Sequence, residues 1–156
     1  MASRFGLLSV LVLSLFAGAP AAAMALVAGD IVVYAAGSLV RVDPVTGAAT
    51  TISSGGLLSG GFGDVVIDAQ GQVNVTIATG RRIVRVNPAD GTQTTVTTFA
   101  ASNSNPFGLA IESDGSLITS DFGNANGTGQ IVRVNPTTGA QTTVSSGGLL
   151  FLNTGI

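Results

Sequence analysis

Short apolar runs and alternating polar stretches follow one another along most of this chain, separated by clusters of glycine, proline, asparagine and aspartate. Runs of four to eight residues with this punctuation are typical of β-strands. Val65–Ile67 and Leu109–Ile111 are continuously apolar, which suits a strand buried on both faces. The stretches Thr50–Ser53 and Thr94–Thr97 alternate instead, which suits a strand with one wet face. The pattern predicts an all-β chain without helices after its first 25 residues.

One segment occurs three times, starting at Val40, Val84 and Val132. Each copy reads Val-Arg-Val, then Asp or Asn, then Pro-x-x-Gly, and a threonine-rich stretch follows it. The Asp or Asn side chain can accept a hydrogen bond from the backbone two residues later, proline fixes φ, and glycine adopts a positive φ. Each copy therefore predicts a hairpin turn between two strands.

Each full repeat contains four predicted strands, and the first repeat begins at its second strand, near Asp30. The predicted strands are 64–68, 72–78, 82–87 and 93–99 in one repeat, and 108–112, 116–120, 130–135 and 140–145 in the next. Four antiparallel strands in about 40–50 residues are typical of a β-propeller blade. The alternatives are a β-sandwich, which needs no sequence repeat, and a β-solenoid, whose coils are usually much shorter.

We therefore predict an all-β fold of about three propeller blades, forming an incomplete arc of a six-bladed ring. The blades cover roughly residues 30–58, 59–101 and 102–150, and residues 151–156 start a further blade. Three blades cannot close a ring. We expect either self-association, most simply of two arcs with the absent first strand supplied across the joint, or further blades in a longer chain.

The start of the chain has the pattern of a secretory signal peptide. Arg4 precedes the apolar run Phe5–Phe16, and Ala23-Met24-Ala25 supplies small residues for cleavage. The run is shorter than the roughly 20 apolar residues that span a membrane. We expect residues 1–25 to be removed, leaving 26–156 as a secreted or periplasmic domain without membrane contact.

The amino-acid composition argues against several classes of function. The sequence has no cysteine and no histidine, and its six basic residues face eight acidic ones. No basic face is therefore expected for nucleic acid. Histidine is both the commonest general base and the commonest metal ligand, so its absence argues against many enzyme mechanisms.

The stretch Asn105–Asp121, followed by Gln130–Pro136, resembles a blade of the NHL, streptogramin-lyase and gluconolactonase-like propellers. Those families read Pro-x-Gly-Leu-Ala-Val-Asp, then Asp-Gly, then Ile-x-Arg-Val-Asp-Pro. The resemblance implies the fold rather than a reaction. Streptogramin lyases use a histidine, and gluconolactonase-like enzymes hold a divalent metal with Glu, Asn and Asp at the channel mouth. Here Glu112, the sole glutamate, is predicted in a turn at the far end of its strand, so no catalytic residue is carried over.

Two groups of polar residues are candidate sites. Asp64 and Asn105 precede the innermost strands, at the rim of a propeller's channel, where ligands often bind. Asp121, Asn124 and Asn126 lie in a longer loop rich in the oxygen ligands that calcium prefers, although tight loops use the same residues. A divalent metal such as calcium is the cofactor that this loop suggests.

The basic residues are assigned structural places. Arg41, Arg85 and Arg133 recur at one strand position, where we expect each to reach a carboxylate or carbonyl. Arg81-Arg82 is expected at a solvated loop tip.

The sequence favours an exported, non-enzymatic binding or scaffold module. The alternative is part of a lactonase-like or lyase-like propeller enzyme, completed by other blades.

Overall fold

The computed structural model describes residues 25–100, 104–123, 128–150 and 155–156. The predicted signal peptide lies almost entirely outside these residues. Within them the chain forms eleven strands and two short 3₁₀ turns. The strands are β1 (Ile31–Ala35), β2 (Ser38–Val42), β3 (Ala49–Ser54), β4 (Val65–Ile67), β5 (Val73–Ile77), β6 (Arg82–Val86), β7 (Gln93–Thr98), β8 (Pro106–Ile111), β9 (Leu117–Asp121), β10 (Gln130–Val134) and β11 (Gln141–Ser146). The 3₁₀ turns are η1 (Gly56–Leu58) and η2 (Gly148–Leu150).

The strands form three antiparallel sheets in which neighbours along the chain are neighbours in space. Blade 1 is the three-stranded sheet β1-β2-β3, blade 2 is β4-β5-β6-β7, and blade 3 is β8-β9-β10-β11. The prediction of propeller blades is confirmed, and among the described residues blade 1 has three strands, which correspond to the second, third and fourth strands of blades 2 and 3. Each predicted strand lies within two residues of the observed one.

The repeated turn has the predicted chemistry. A side-chain oxygen of Asp43, Asn87 or Asn135 accepts a hydrogen bond from the backbone nitrogen two residues later, at 2.8, 3.0 and 2.9 Å respectively. The turn glycines have φ values of 70°, 73° and 72°. They are Gly47, Gly91 and Gly139. The turn sequence thus fixes the hairpin between the last two strands of every blade.

A β-bulge recurs between the third and outermost strands of each blade. In blade 1, Leu39 pairs with Ser53 while Val40 pairs with Thr51, so Ile52 is the extra residue. Val96 and Val144 hold the same place in blades 2 and 3. Such a bulge interrupts the ladder and bends the strand.

The turn of one blade docks on the bulge of the blade before it. The hydroxyl of Ser53 in blade 1 donates to the Gly91 carbonyl of blade 2 at 2.7 Å. The amide of Gln93 in blade 2 donates to the Ser53 hydroxyl at 2.9 Å, and its oxygen accepts from the Leu57 backbone nitrogen at 2.7 Å. We call this contact the bulge–turn joint.

The joint is repeated between blades 2 and 3. Thr97 donates to the Gly139 carbonyl at 2.8 Å, and Gln141 donates to the Thr97 hydroxyl at 2.7 Å. The turn glycine is needed for a second reason here. A Cβ placed on Gly91 would lie 2.7 Å from the Ile52 carbonyl oxygen, and one on Gly139 would meet the Val96 carbonyl more closely still.

The core consists of two apolar clusters between blades. One lies between blades 1 and 2, and its buried members are Leu39, Leu58, Val73, Val75, Ile77, Val84 and Val86. The other lies between blades 2 and 3, and its buried members are Ile83, Phe99, Leu109, Leu117, Val132 and Val134. Among the described residues, blade 2 therefore has both faces covered, whereas blades 1 and 3 each have one covered face.

The burial of the innermost strand differs from the sequence expectation. Val65 and Val66 of β4 are half-buried and Ile67 is exposed, whereas every residue of β5 is buried. Strand β4 borders the inner edge of the array, and within residues 25–100 blade 1 supplies no innermost strand beside it. The second strand is consequently the one that is enclosed.

Replacing Gly91 with alanine should destabilise the protein more than replacing Gly71. Both glycines have φ 73°, but a Cβ on Gly71 would meet nothing within 4 Å. Left-handed backbone at alanine costs about 1 kcal/mol in each variant. Overpacking against Ile52 should add about 1–3 kcal/mol at Gly91. Urea unfolding measures the difference. Equal losses of unfolding free energy in the two variants would show that the Gly91 turn does not pack against blade 1.

Candidate functional site

The predicted site residues collect at one end of the blades. In an antiparallel blade the first strand starts, the second ends and the third starts at the same end. We call this end the loop face. Asp64 and Asn105 lie there just before β4 and β8, and Asp121 ends β9. Asn124 and Asn126 belong to the same loop but lie outside the described residues.

Asp64 links the innermost strands of two blades. Its carboxylate accepts hydrogen bonds from the backbone nitrogens of Val65, at 2.8 Å, and of Leu109 in blade 3, at 3.1 Å. The Thr76 hydroxyl accepts from the Asp64 nitrogen at 2.7 Å and donates to the Phe107 carbonyl at 2.6 Å. Asp64 remains exposed to solvent, so it can contact a ligand as well as hold the strands together.

Asp121 is buried, with 1% of its surface exposed. One carboxylate oxygen accepts from the backbone nitrogens of Asn105, at 2.7 Å, and Gly123, at 3.1 Å. The other accepts from the side-chain amide of Gln130 at 2.9 Å. The structure thus brings Asn105 and Asp121 together, with the carboxylate anchoring the chain that leads into β8.

Three N–H donors already bond the Asp121 carboxylate, which leaves it little capacity to coordinate a cation as well. Among the described residues no group of three or more acidic, histidine or cysteine side chains could hold a metal ion. Since Asn124 and Asn126 lie outside those residues, calcium binding by this loop stays a prediction.

The carboxylates in the turns also accept hydrogen bonds from the backbone. The backbone nitrogens of Thr46 and Val45 hold the pKa of Asp43 below its usual value. The Thr92 backbone lowers the pKa of Asp90, and the Ser116 backbone lowers that of Asp114. These groups are therefore ionised at neutral pH and are poor proton carriers.

The three repeated arginines each pair with a carboxylate of their own blade. The distances are 2.7 Å for Arg41–Asp30, 3.8 Å for Arg85–Asp68 and 2.5 Å for Arg133–Glu112. The hydrogen bond from Arg133 lowers the pKa of Glu112. The arginines therefore stabilise individual blades and do not form a repeated anion site.

Arg82 has a role that the sequence did not reveal. Its guanidinium donates to the carbonyls of Leu57, at 2.9 Å, and Ser59, at 2.8 Å, both in the segment that follows blade 1. The expectation of a solvated tip is wrong for this residue. The sequence gives no sign of this role, because arginine does not recur at this position. The equivalent residue of blade 3, at the start of its third strand, is Gln130.

A depression of about 510 Å³ opens beside this segment on the loop face. The Tyr34 hydroxyl lies 2.6 Å from the Leu58 carbonyl oxygen and 2.8 Å from the Gly61 carbonyl oxygen, and its single proton is shared between these two acceptors, which shapes the wall of the depression. The lining residues are Ala36, Gly37, Ser38, Gly55, Ser59, Gly60, Gly61 and Phe62. Phe62 is 80% exposed. Sequence reasoning missed this depression, although the run Ser59–Gly63 combines glycines with an aromatic residue and marks a loop.

Comparison with known proteins supports the fold. No protein-family model matches the chain, and no curated protein matches it. A streptogramin B lyase structure is similar, with 24% identity, a TM-score of 0.58, and coverage of 77% of this chain and 38% of that one. A nidogen/laminin complex gives 18% identity and a TM-score of 0.58, covering 76% of this chain and 43% of that one.

The extracellular domain of a one-component system from B. thetaiotaomicron is also similar, at 15% identity and a TM-score of 0.55, covering 76% of this chain and 16% of that one. The resemblance to propeller blades of the streptogramin-lyase kind is confirmed. Identities this low show the fold alone, and the chain spans less than half the length of each of these proteins. In the part of the chain that the structure describes, no helix is long and apolar enough to cross a membrane.

Replacing Asp121 with alanine should destabilise the protein by about 3 kcal/mol, since buried donors lose their acceptor. The loss should be the same with calcium chloride and with EDTA, because N–H groups rather than a cation hold the carboxylate. Thermal unfolding in both buffers measures it. A loss that appears only with calcium would instead establish the metal site.

Proposed function

We propose that this protein is an exported, non-enzymatic binding or scaffold module built of propeller blades. The observation that carries the proposal is that the acidic side chains are all bonded to backbone N–H groups or to arginine. All eight carboxylates of the sequence lie in the described residues, and each accepts hydrogen bonds from the backbone or pairs with an arginine.

This arrangement is unfavourable for acid–base catalysis. A catalytic carboxyl usually has a raised pKa, produced by burial or a neighbouring carboxylate. Here backbone hydrogen bonds lower the carboxyl pKa values of four residues, and the hydrogen bond from Arg133 lowers the pKa of Glu112. The four are Asp30, Asp43, Asp90 and Asp114. The sequence contains no histidine that could act in their place.

Binding is assigned to the loop face. Asp64 is exposed there, and the depression next to Phe62 offers an apolar ring surrounded by hydroxyl and backbone groups. An aromatic ring beside hydrogen-bonding groups suits a sugar, which presents both apolar and hydroxyl surfaces. An oligosaccharide is therefore the first ligand to test, with Phe62 as its contact.

The second candidate function is that this chain forms part of a lactonase-like or lyase-like propeller enzyme. The similarity to a streptogramin B lyase structure supports it. That protein is much longer than this chain, so the reacting groups would have to come from blades outside this sequence.

Export is supported by the leader pattern of residues 1–25. The similarity to an extracellular domain agrees with it. A secreted or periplasmic location follows from this proposal.

The test is made on the full chain expressed in a secreting host, with the product purified as the host delivers it. We expect retention of a soluble oligosaccharide on a glycan array, and loss of that retention in Phe62→Ala. Val45→Ala is the control, since Val45 is at least as exposed as Phe62 but lies in a turn at the opposite end of the blades.

The same preparation should leave streptogramin B and an aldonolactone intact. Hydrolysis or elimination of either compound would support the enzyme instead. A protein that retains no glycan, or that retains one equally well without Phe62, would contradict the binding site proposed here.

A further inference from the structure

Each end of the blade array carries an apolar blade face with exposed residues, whereas the equivalent faces between blades are buried. On blade 1, Ile31 lies opposite Val42 and Val33 lies opposite Val40, so these four residues share one face. Ile31 and Val33 are 48% and 40% exposed. We call this the leading face. The equivalent residues of blade 2 pack on blade 1 with no exposed surface, and they are Val73, Val75, Val84 and Val86.

Blade 3 presents the complementary surface. Val132 and Val134 point toward blade 2, so Ile131 and Ile118 point away from it. The bulge residue Val144 is 48% exposed on the same side. We call these three outward residues the trailing face. In blade 2 the equivalent residues Ile83 and Val96 pack against blade 3.

Half of a bulge–turn joint is already built on blade 3. The segment Ser145–Leu150 repeats the sequence Ser53–Leu58. Its internal hydrogen bonds are also repeated. The nitrogens of Gly147 and Leu150 bond at 2.9 and 3.0 Å, as those of Gly55 and Leu58 do. Ser145 and the Leu149 nitrogen thus stand ready to receive a turn, and Leu149 is fully exposed.

The other half is built on blade 1. Its turn glycine, Gly47, has the same φ as the docked glycines, but a Cβ added there would meet nothing within 4 Å. One residue differs from the docked turns. Ala49 occupies the place that Gln93 and Gln141 hold in blades 2 and 3.

We propose that a second copy of this chain docks the leading face of its blade 1 on the trailing face of blade 3, through a third bulge–turn joint. The occupant is a second copy because one chain carries both halves of the contact, one at each end. Contacts of this head-to-tail kind close into a ring when the rotation fits. Two arcs of three blades give a six-bladed ring.

Ala49 makes this joint weaker than those inside the chain. The Gln93 amide donates to the Ser53 hydroxyl and to the Ser54 carbonyl and accepts from Leu57. Alanine can make none of these bonds. The joint between copies therefore relies on apolar contact and on the Ser145 hydroxyl, which makes it reversible while the inner joints stay closed.

The decisive variant is Ala49→Gln, which supplies the missing side chain at an exposed position. Sedimentation equilibrium on the purified product of the full chain should show a species of twice the chain mass. Ala49→Gln should lower its dissociation constant about tenfold, the effect of one or two net hydrogen bonds. Adding Ser145→Ala to Ala49→Gln should reverse most of that gain.

Val144→Asp tests the apolar face and Gln70→Asp is its control, since Gln70 is exposed in the β4–β5 turn of the middle blade and lies on neither face nor in the joint. The first should abolish association, and the second should leave it unchanged, with identical circular dichroism spectra for both. A monomer at all concentrations, a dissociation constant unaffected by Ala49→Gln, or open-ended aggregates instead of a dimer would each overturn the proposal.

Discussion

Each blade of this array has two apolar faces, and a neighbouring blade has to cover each of them. Blade 2 satisfies this requirement, since the valines of β5 and β6 are buried against blade 1 and Ile83 is buried against blade 3. The bulge–turn joint sets the geometry of that contact. A bulge turns the outermost strand of one blade toward the next, and a glycine turn approaches its carbonyl where a side chain would not fit. The register of the blades, and hence the position of every loop, follows from this contact.

The polar groups at the loop face are subject to the same constraint. Asp64 could have been a free carboxylate at a channel rim, but it also joins the innermost strands of blades 2 and 3. Asp121 is fully committed to the approach to β8. Acidic residues that secure backbone in this way hold the loops still, and a fixed set of loops is what a binding module requires.

Local chemistry made most of the fold predictable. The Asp-Pro-x-x-Gly and Asn-Pro-x-x-Gly turns act within a few residues, so the hairpins and strand limits could be derived from sequence order. Contacts between blades could not. Arg82 was not recognised because it belongs to blade 2 and its partners follow blade 1. Tyr34 was not recognised because its partners, Leu58 and Gly61, are 24 and 27 residues away along the chain. The bulge residue Ile52 resembles any other strand valine or isoleucine. Strand β4 is partly open because, within residues 25–100, blade 1 supplies no innermost strand beside it. For the same reason the sequence predicts Asp121 in a loop, whereas it is the buried last residue of β9, and its N–H partners could not be foreseen.

The most direct measurement is a double-mutant cycle between Gln93→Ala and Ser53→Ala, followed by urea unfolding. These residues belong to different blades and contact each other only through the joint. The account predicts a coupling free energy of about 1 kcal/mol or more. A cycle between Ser53→Ala and Gln70→Ala, an exposed glutamine in the β4–β5 turn, should give none. If the Gln93–Ser53 coupling is also zero, the joint does not hold the blades together and the account is contradicted.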